Sequence, residues 1–465
     1  MLKLWERYEQ FLFKWGLAAI LIAVPLYPKF PIFNIPGTYV AIRLEDFLIS
    51  LVSAIFLLYI LRQPSVFLGD RINQAFLLFF LVGLVSTLAG IFLTKTVILH
   101  LGLLHWARRI EYTIPFFIGV AVLRREGQVR FFIQILLVVA FLAFLYAVGQ
   151  IHLGFPVIST QSAEFAKGLA LRWIPGARIH STFAGHYDLA AFLVLLLPLS
   201  FGYFFVVRSI LGKVLVFVAG ASSFWLLVLS SSRISMAAYL IGIGIVLWLL
   251  RKRLLLIPVF VISLFFIFTT SDLLARSQYT INVVSNKIMR QVPLFLWFED
   301  KLKPKPARGA EFAVVVPRRI SQSPEPGPTP LLEDRSTSIR LNMEWPRALH
   351  AFFKNPLLGT GYSSITLATD NDYLRMLGET GLAGTLAFLL IFIRIFKTLI
   401  NYLKSQAILT LGRVMVIGML GAGMGIFVNA IFIDVFEASK VALIFWAISG
   451  IAVGTARLAE KNETV

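Results

Sequence analysis

An all-α bundle of membrane-spanning helices is the fold class this sequence predicts, and three observations predict it. Hydrophobic residues make up 58% of the 465 positions and charged residues only 14%, with mean hydropathy +0.82, against roughly 25% charged in soluble domains. Twelve apolar runs approach the length of about 20 residues that a spanning helix needs. Most of these runs are apolar all round, which suits buried helices and not the alternating pattern of a membrane barrel.

In chain order the runs lie near 12–27, 46–61, 75–93, 107–123, 131–151, 187–207, 213–230, 235–250, 254–270, 379–396, 412–433 and 438–456. The first follows MLKLWERYEQFLFKW without a small-residue cleavage site, so it reads as an anchor helix. If the N-terminus is cytoplasmic, alternate short loops carry Arg62 and Arg71, RREGQVR at 124–130, Arg208 and Lys213, RKR at 251–253, and the basic set between 394 and 413. This is positive-inside, with both termini cytoplasmic. The basic stretch TKTVILHLGLLHWARR at 94–109 falls outside on this count and is expected to be an amphipathic helix lying on the membrane surface.

Three regions result. Residues 1–270 hold nine helices, 271–378 form a large outer segment, and 379–465 hold three helices and a cytoplasmic tail. Within the outer segment, 271–300 reads as amphipathic helix. The stretch near 301–335, with KPKP and SPEPGPTP, reads as a disordered linker. STSIRLNMEWPRALHAFFK at 336–354 recovers helical periodicity, with Ser336 or Ser338 as a candidate cap.

A net charge of +19 exceeds what topology requires and leaves a basic outer surface. Nucleic acid does not fit that side of a membrane; anionic lipid headgroups or a lipid-linked phosphate do. Zero cysteines exclude disulfides and thiolate chemistry. The six histidines show no pair at metal-ligand spacing, so no metal site is expected.

Four constellations carry chemistry. GARIHSTFAGHYD sets Arg178, His180, His186 and Asp188 before a helix, either as a polar collar or lining a cavity. In LSSSRISM, Arg233 stands between two apolar runs with almost no loop, where a charge must snorkel, pair or bind an anion. Arg340 and Arg347 lie on the helix leading into the fourth, NPLLGTGYSSITLATDNDYLRMLGETG. There Asp370, Asn371, Asp372, Tyr373, Arg375 and Glu379 meet the start of the tenth helix. GTG alone is a weak phosphate-loop signal and not a Walker motif.

In order, these are RIHSTF (Arg178 to Phe183), [ST]-x-S-R (Ser230 to Arg233), Arg340, N-P-L-x-G-x-G (Asn355 to Gly361) and N-x-Y-L-x-x-x-x-E-x-G-x-x-G (Asn371 to Gly384). With RRIEYTIPFFIG at 108–119 and the run ending FWAISGIAVG at 454, the series resembles the O-antigen ligase and polysaccharide polymerase superfamily of bacterial envelope proteins. The resemblance implies an inner-membrane glycosyltransferase. It would move a glycan from an undecaprenyl-pyrophosphate carrier to a lipid or glycan acceptor hydroxyl on the outer face, with no nucleotide, metal or other cofactor.

In that reading Arg233 and Arg340 match the family's arginines and Arg178 is a third. Their planar groups would fork onto phosphate oxygens. His180, His186, Asn371, Tyr373 and Arg375 would line the pyrophosphate and glycan site. Ligases of the superfamily carry a histidine before the Asn; this chain has Asp370. Asp370 is left with three roles: base, group that orients the acceptor, or helix cap. The D-N-x-Y-L form resembles exopolysaccharide polymerases more closely. Ligase and polymerase both remain open, with a lipid-linked glycan transporter as the alternative from another class.

Overall fold

The computed structural model describes residues 2–34, 41–160, 169–269, 339–365, 368–406 and 408–463. The amphipathic helix expected at 271–300, the linker near 301–335 and the caps at Ser336 or Ser338 lie outside the described residues.

The described chain is an all-α bundle. Its helices are α1 (Leu2–Leu26), α2 (Leu44–Arg62), α3 (Pro64–Gly69), α4 (Arg71–Phe92), α5 (Leu99–Val122), α6 (Glu126–His152), α7 (His186–Phe204), α8 (Ile210–Leu229), α9 (Arg233–Leu249) and α10 (Leu256–Thr269). After a π turn, Arg340–Glu344, come α11 (Trp345–Lys354), α12 (Asp372–Ser405), α13 (Leu411–Asn429) and α14 (Ser439–Glu463). Two short antiparallel ribbons pair Phe33–Asn34 with Ala41–Ile42 and Val157–Ile158 with Ala170–Leu171.

Each of the twelve apolar runs falls on a helix, but they are not twelve equal spans. Among the described residues, nine helices are long and apolar enough to cross a membrane. α9 and α10 are apolar but shorter, and α5 carries too many charged and polar residues in its first half. The stretch 94–109 also differs from expectation. From Leu99 onward it is continuous with α5 and not a separate surface helix. Arg109 in that half has acidic partners inside the protein, so the helix can carry its charge inward.

α7, α13 and α14 are largely buried and form the core, whereas α2 and α8 stand at the rim. Where lipid replaces water, helices associate through close backbone contact at small residues. Gly450 of α14 lies so near α5 that a Cβ there would stand 2.1 Å from the Phe116 carbonyl oxygen. Gly242 of α9 and Gly421 of α13 meet in the same way, each hypothetical Cβ within 2.8 Å of the other's carbonyl oxygen.

Helix starts are satisfied by short polar caps. Asp70 caps α4, Ser209 caps α8, Ser232 caps α9 and Thr410 caps α13. At α12 the cap is Asn371, whose Oδ1 accepts from the Leu374 amide at 2.9 Å. Asp370 therefore does not cap this helix.

One end of the bundle gathers the starts of α2, α5, α7, α9, α12 and α14, and every candidate constellation is there. Arg108 reaches Asp46 near the start of α2. Thr182, before α7, donates to the Pro25 carbonyl at the end of α1. Ser235 of α9 donates to Asn429 at the end of α13.

Candidate functional site

The segment 355–381 is built around a broken helix. α12 begins at Asp372, seven residues before the expected apolar run, and Gly381 interrupts it with φ 63° and ψ −167°. Only glycine adopts that region freely. The break strands backbone groups, and the loop Pro356–Gly361 satisfies them. Thr360 and Gly361 amides donate to the Gly378 and Glu379 carbonyls at 3.0 and 2.8 Å. In return, the Leu382 and Ala383 amides donate to Pro356 and Leu357 at 2.9 and 3.1 Å. The Thr360 and Gly361 amides are thus spent on α12 and the Gly359 amide on the Asn355 carbonyl at 2.7 Å, so none of the three cradles a phosphate. Gly359 lies so close to the break that a Cβ would stand 2.4 Å from Glu379 backbone carbon.

Below this break lies a closed ion network. Arg375 faces Asp434 at 3.1 Å, Glu379 at 3.6 Å and Glu437 at 3.6 Å. Arg109 pairs with Glu437 and lies 3.8 Å from Glu379. Its guanidinium also sits 5.1 Å from the centre of the buried Tyr362 ring. Asp434 does a second job: its two oxygens accept the Thr369 and Asn371 amides, each at 3.0 Å. The carboxylate therefore grips the backbone on both sides of Asp370. Asp372 adds a further clamp, its amide on the Ala430 carbonyl and its carboxylate accepting from the Phe436 amide.

Held this way, Asp370 has a left-handed φ of 47°, an unusual conformation for a non-glycine residue. Ser181, Ser231 and Ser363, in three other motif loops, also have positive φ. Such strain concentrates where surrounding structure fixes a functional geometry. Arg340 enters from the π turn and forks onto one oxygen of Asp370. Its Nε and Nη2 donate to Oδ2 at 3.0 and 2.7 Å. The Oδ1 atom takes no part in that pair. The Asp370 side chain is 30% exposed and that of Arg340 9%. Burial pushes the Asp370 carboxyl above its ordinary value, with the Arg340 charge pulling the other way.

A second arginine approaches from the loop before α7. Arg178 Nη1 lies 2.6 Å from His186 Nε2. The His180 and His186 rings stack at 5.9 Å. Burial holds His180 below its ordinary value, so it is neutral at pH 7. Tyr187 stands between the two arginines: Arg340 and Arg178 lie 5.7 and 6.0 Å from its ring centre, and Arg340 also hydrogen-bonds it. An imidazole pair, one phenol and two guanidiniums make a polar wall suited to an anion.

The structure thus brings Arg178, His180, His186, Arg340 and Asp370 together. Arg233 starts α9 at the same end, beside Ser232 and Ser235, which join it to α13 through Asn429. The other candidates have internal partners. Asn371 is the cap, the Tyr373 hydroxyl donates to the Phe427 carbonyl at 2.9 Å, and Arg375 is in the closed network. Sequence reasoning missed Tyr187, Glu344, Asp434 and Glu437. The signal for the last two was present: two carboxylates in the apolar loop IFIDVFEASK, where unpaired charge is costly.

Fold and site together define a polytopic all-α membrane protein with a cationic, carboxylate-bearing site at one end of its bundle. Residues 215–389 match the family model described as O-antigen ligase, from α8 through the break in α12. That match covers less than half of the chain and supports the superfamily its motifs resemble. Arg233, Arg340, Asp370 and Arg375 fall inside the matched region; Arg178, His180 and His186 precede it. No curated protein matches the chain.

Proposed function

We propose that this protein transfers a glycan from an undecaprenyl-pyrophosphate carrier to an acceptor hydroxyl at the outer face of a bacterial inner membrane, with both termini cytoplasmic. The observation that carries this reading is the pair Arg178 and Arg340 flanking Tyr187, with Asp370 beside them. As the acceptor oxygen attacks the anomeric carbon, the bond to the carrier breaks and its electron pair leaves with the pyrophosphate. Fixed cations meet that charge best when they need no reorganisation. Arg340 is already held, Arg178 is held by His186, and Arg233 completes the cationic wall from α9. His180 lines the glycan side. Asn371, Tyr373 and Arg375 act by fixing the start of α12 and therefore Asp370. The Oδ1 of Asp370, which takes no part in the Arg340 pair, receives the acceptor hydroxyl.

The twelve helical runs would all span the membrane, with the site end outward. The carrier's polyprenyl tail stays in lipid, the acceptor is a lipid or glycan hydroxyl, and nucleic acid has no part. Asp370, where ligases of the superfamily carry histidine, favours the second reading, a repeat-unit polymerase. Purified protein in lipid nanodiscs, given a polyprenyl-pyrophosphate oligosaccharide, tests both. A single addition to a distinct acceptor supports the ligase, and a ladder of products the polymerase. Carrier flipping across vesicles with no glycan moved would replace both with a transporter.

A further inference from the structure

The fold delivers Glu344 to the site beside Arg340. It ends the π turn that begins with Arg340, and the Trp345 amide closes that turn on the Arg340 carbonyl. In this wider i→i+5 turn, a residue four positions on stands nearly above the first. Its two sides are anchored. Arg340 is forked onto Asp370, and the Trp345 ring packs 6.0 Å from Phe432, in the loop that also carries Asp434. The charged groups facing Glu344 are Asp370 before α12, Asp434 before α14, Arg340 on its own turn and Arg347 on α11. Its Oε2 is buried and has no hydrogen-bond partner among the described residues. A buried carboxylate oxygen without a donor is costly, and a substrate hydroxyl would supply the donor. Burial first, then the negative charge of Asp370, raises Glu344 to about 7, the range suited to a base at neutral pH. Asp370, by contrast, is tied to Arg340.

We propose that Glu344 is the catalytic base of the transfer, taking the acceptor proton while Asp370 orients the same hydroxyl. The inference rests on the glycan-transfer reading above. The acceptor oxygen forms its bond to the anomeric carbon, the carrier bond breaks toward pyrophosphate, and the proton goes to Glu344 Oε2. The base must be ionised, so the rate should fall as pH drops through about 7.

The test is the pH profile of transfer by the full chain in nanodiscs, with a synthetic polyprenyl-pyrophosphate oligosaccharide and its acceptor. Glu344→Gln should lower kcat by about 10²–10⁴-fold, leave KM for the carrier unchanged and remove the acid limb. Asp370→Asn should keep that limb but move it to lower pH, because the Asp370 charge helps to raise Glu344. A Glu344→Gln profile that overlays the wild type overturns the inference and leaves the transfer reading standing. So does an acid limb lost in Asp370→Asn and kept in Glu344→Gln. A wild type that moves no glycan removes both together. If Glu344→Gln does not fold, Glu344→Asp decides: a shifted limb with lower kcat supports the role, and an unshifted limb at the wild-type rate overturns it.

Discussion

Two arginine and carboxylate clusters sit at the same end of this bundle and are built on opposite plans. In the first, Arg109 and Arg375 are shared among Glu379, Asp434 and Glu437, and Glu379 is only 2% exposed. In the second, Arg340 meets one oxygen of one carboxylate, and Arg178 meets an imidazole. In the first cluster every charged group faces at least one opposite charge. The second has donors and an acceptor oxygen to spare, together with a strained Asp370 backbone. The lesson is that what a buried charge faces differs: chiefly carboxylates in the first cluster, a phenol, an imidazole and one carboxylate in the second. Arg375 and Arg340 look alike in sequence, and only their company separates them.

Substitutions should split along this line. The largest effect is expected from Asp434→Ala, which leaves Arg375 short of a partner and frees the backbone on both sides of Asp370. Removing one partner of a buried pair costs about 3–5 kcal/mol, so thermal unfolding in detergent should show a much less stable protein. Next comes Arg340→Ala. It should cut transfer by about 10²–10³-fold while the folded fraction stays near wild type. Arg340→Lys should recover little, because an ammonium cannot fork. If Arg340→Ala instead unfolds the protein and Asp434→Ala leaves a stable but inactive one, the two clusters have been assigned the wrong way round.

A smaller loss, about 1–3 kcal/mol for the backbone conformation alone, is expected for Gly381→Ala. A Cβ there would also stand 2.4 Å from the Leu357 carbonyl oxygen. Both stability and transfer should fall, because the break in α12 carries network and site together. The smallest effect belongs to the opposite end. Arg457 pairs with Asp70 at 2.5 Å, partly exposed, and Arg457→Ala should cost no more than about 1 kcal/mol. Transfer should be unchanged.

The bundle was legible because apolar runs are a one-dimensional signal, and each run fell on a helix. The errors occurred where charge was read as lying outside the bundle helices, as a polar loop at 370–379 and as a surface helix at 94–109. DYLRMLGE opens α12 and HLGLLHWARR opens α5, because the charges in both are paired inside the protein. Of the candidate site, Arg233 stood out by its place between two apolar runs, and Arg340 and Asp370 through the motifs that resemble the superfamily. What pairs with what was not. Asp434 lies 59 residues from Arg375, and Arg340 lies 30 from Asp370. In sequence Tyr187 is only the first residue of an apolar run and Glu344 one polar residue of a helical stretch. Only the folded chain places both against Arg340.

The most direct test of the account is the structure of the protein with a polyprenyl-pyrophosphate oligosaccharide bound, determined in nanodiscs. The account predicts the diphosphate between Arg178 and Arg340 over Tyr187, with Arg109 and Arg375 still paired to their carboxylates. A diphosphate bound by Arg109 or Arg375, with Arg340 still closed on Asp370, would contradict it.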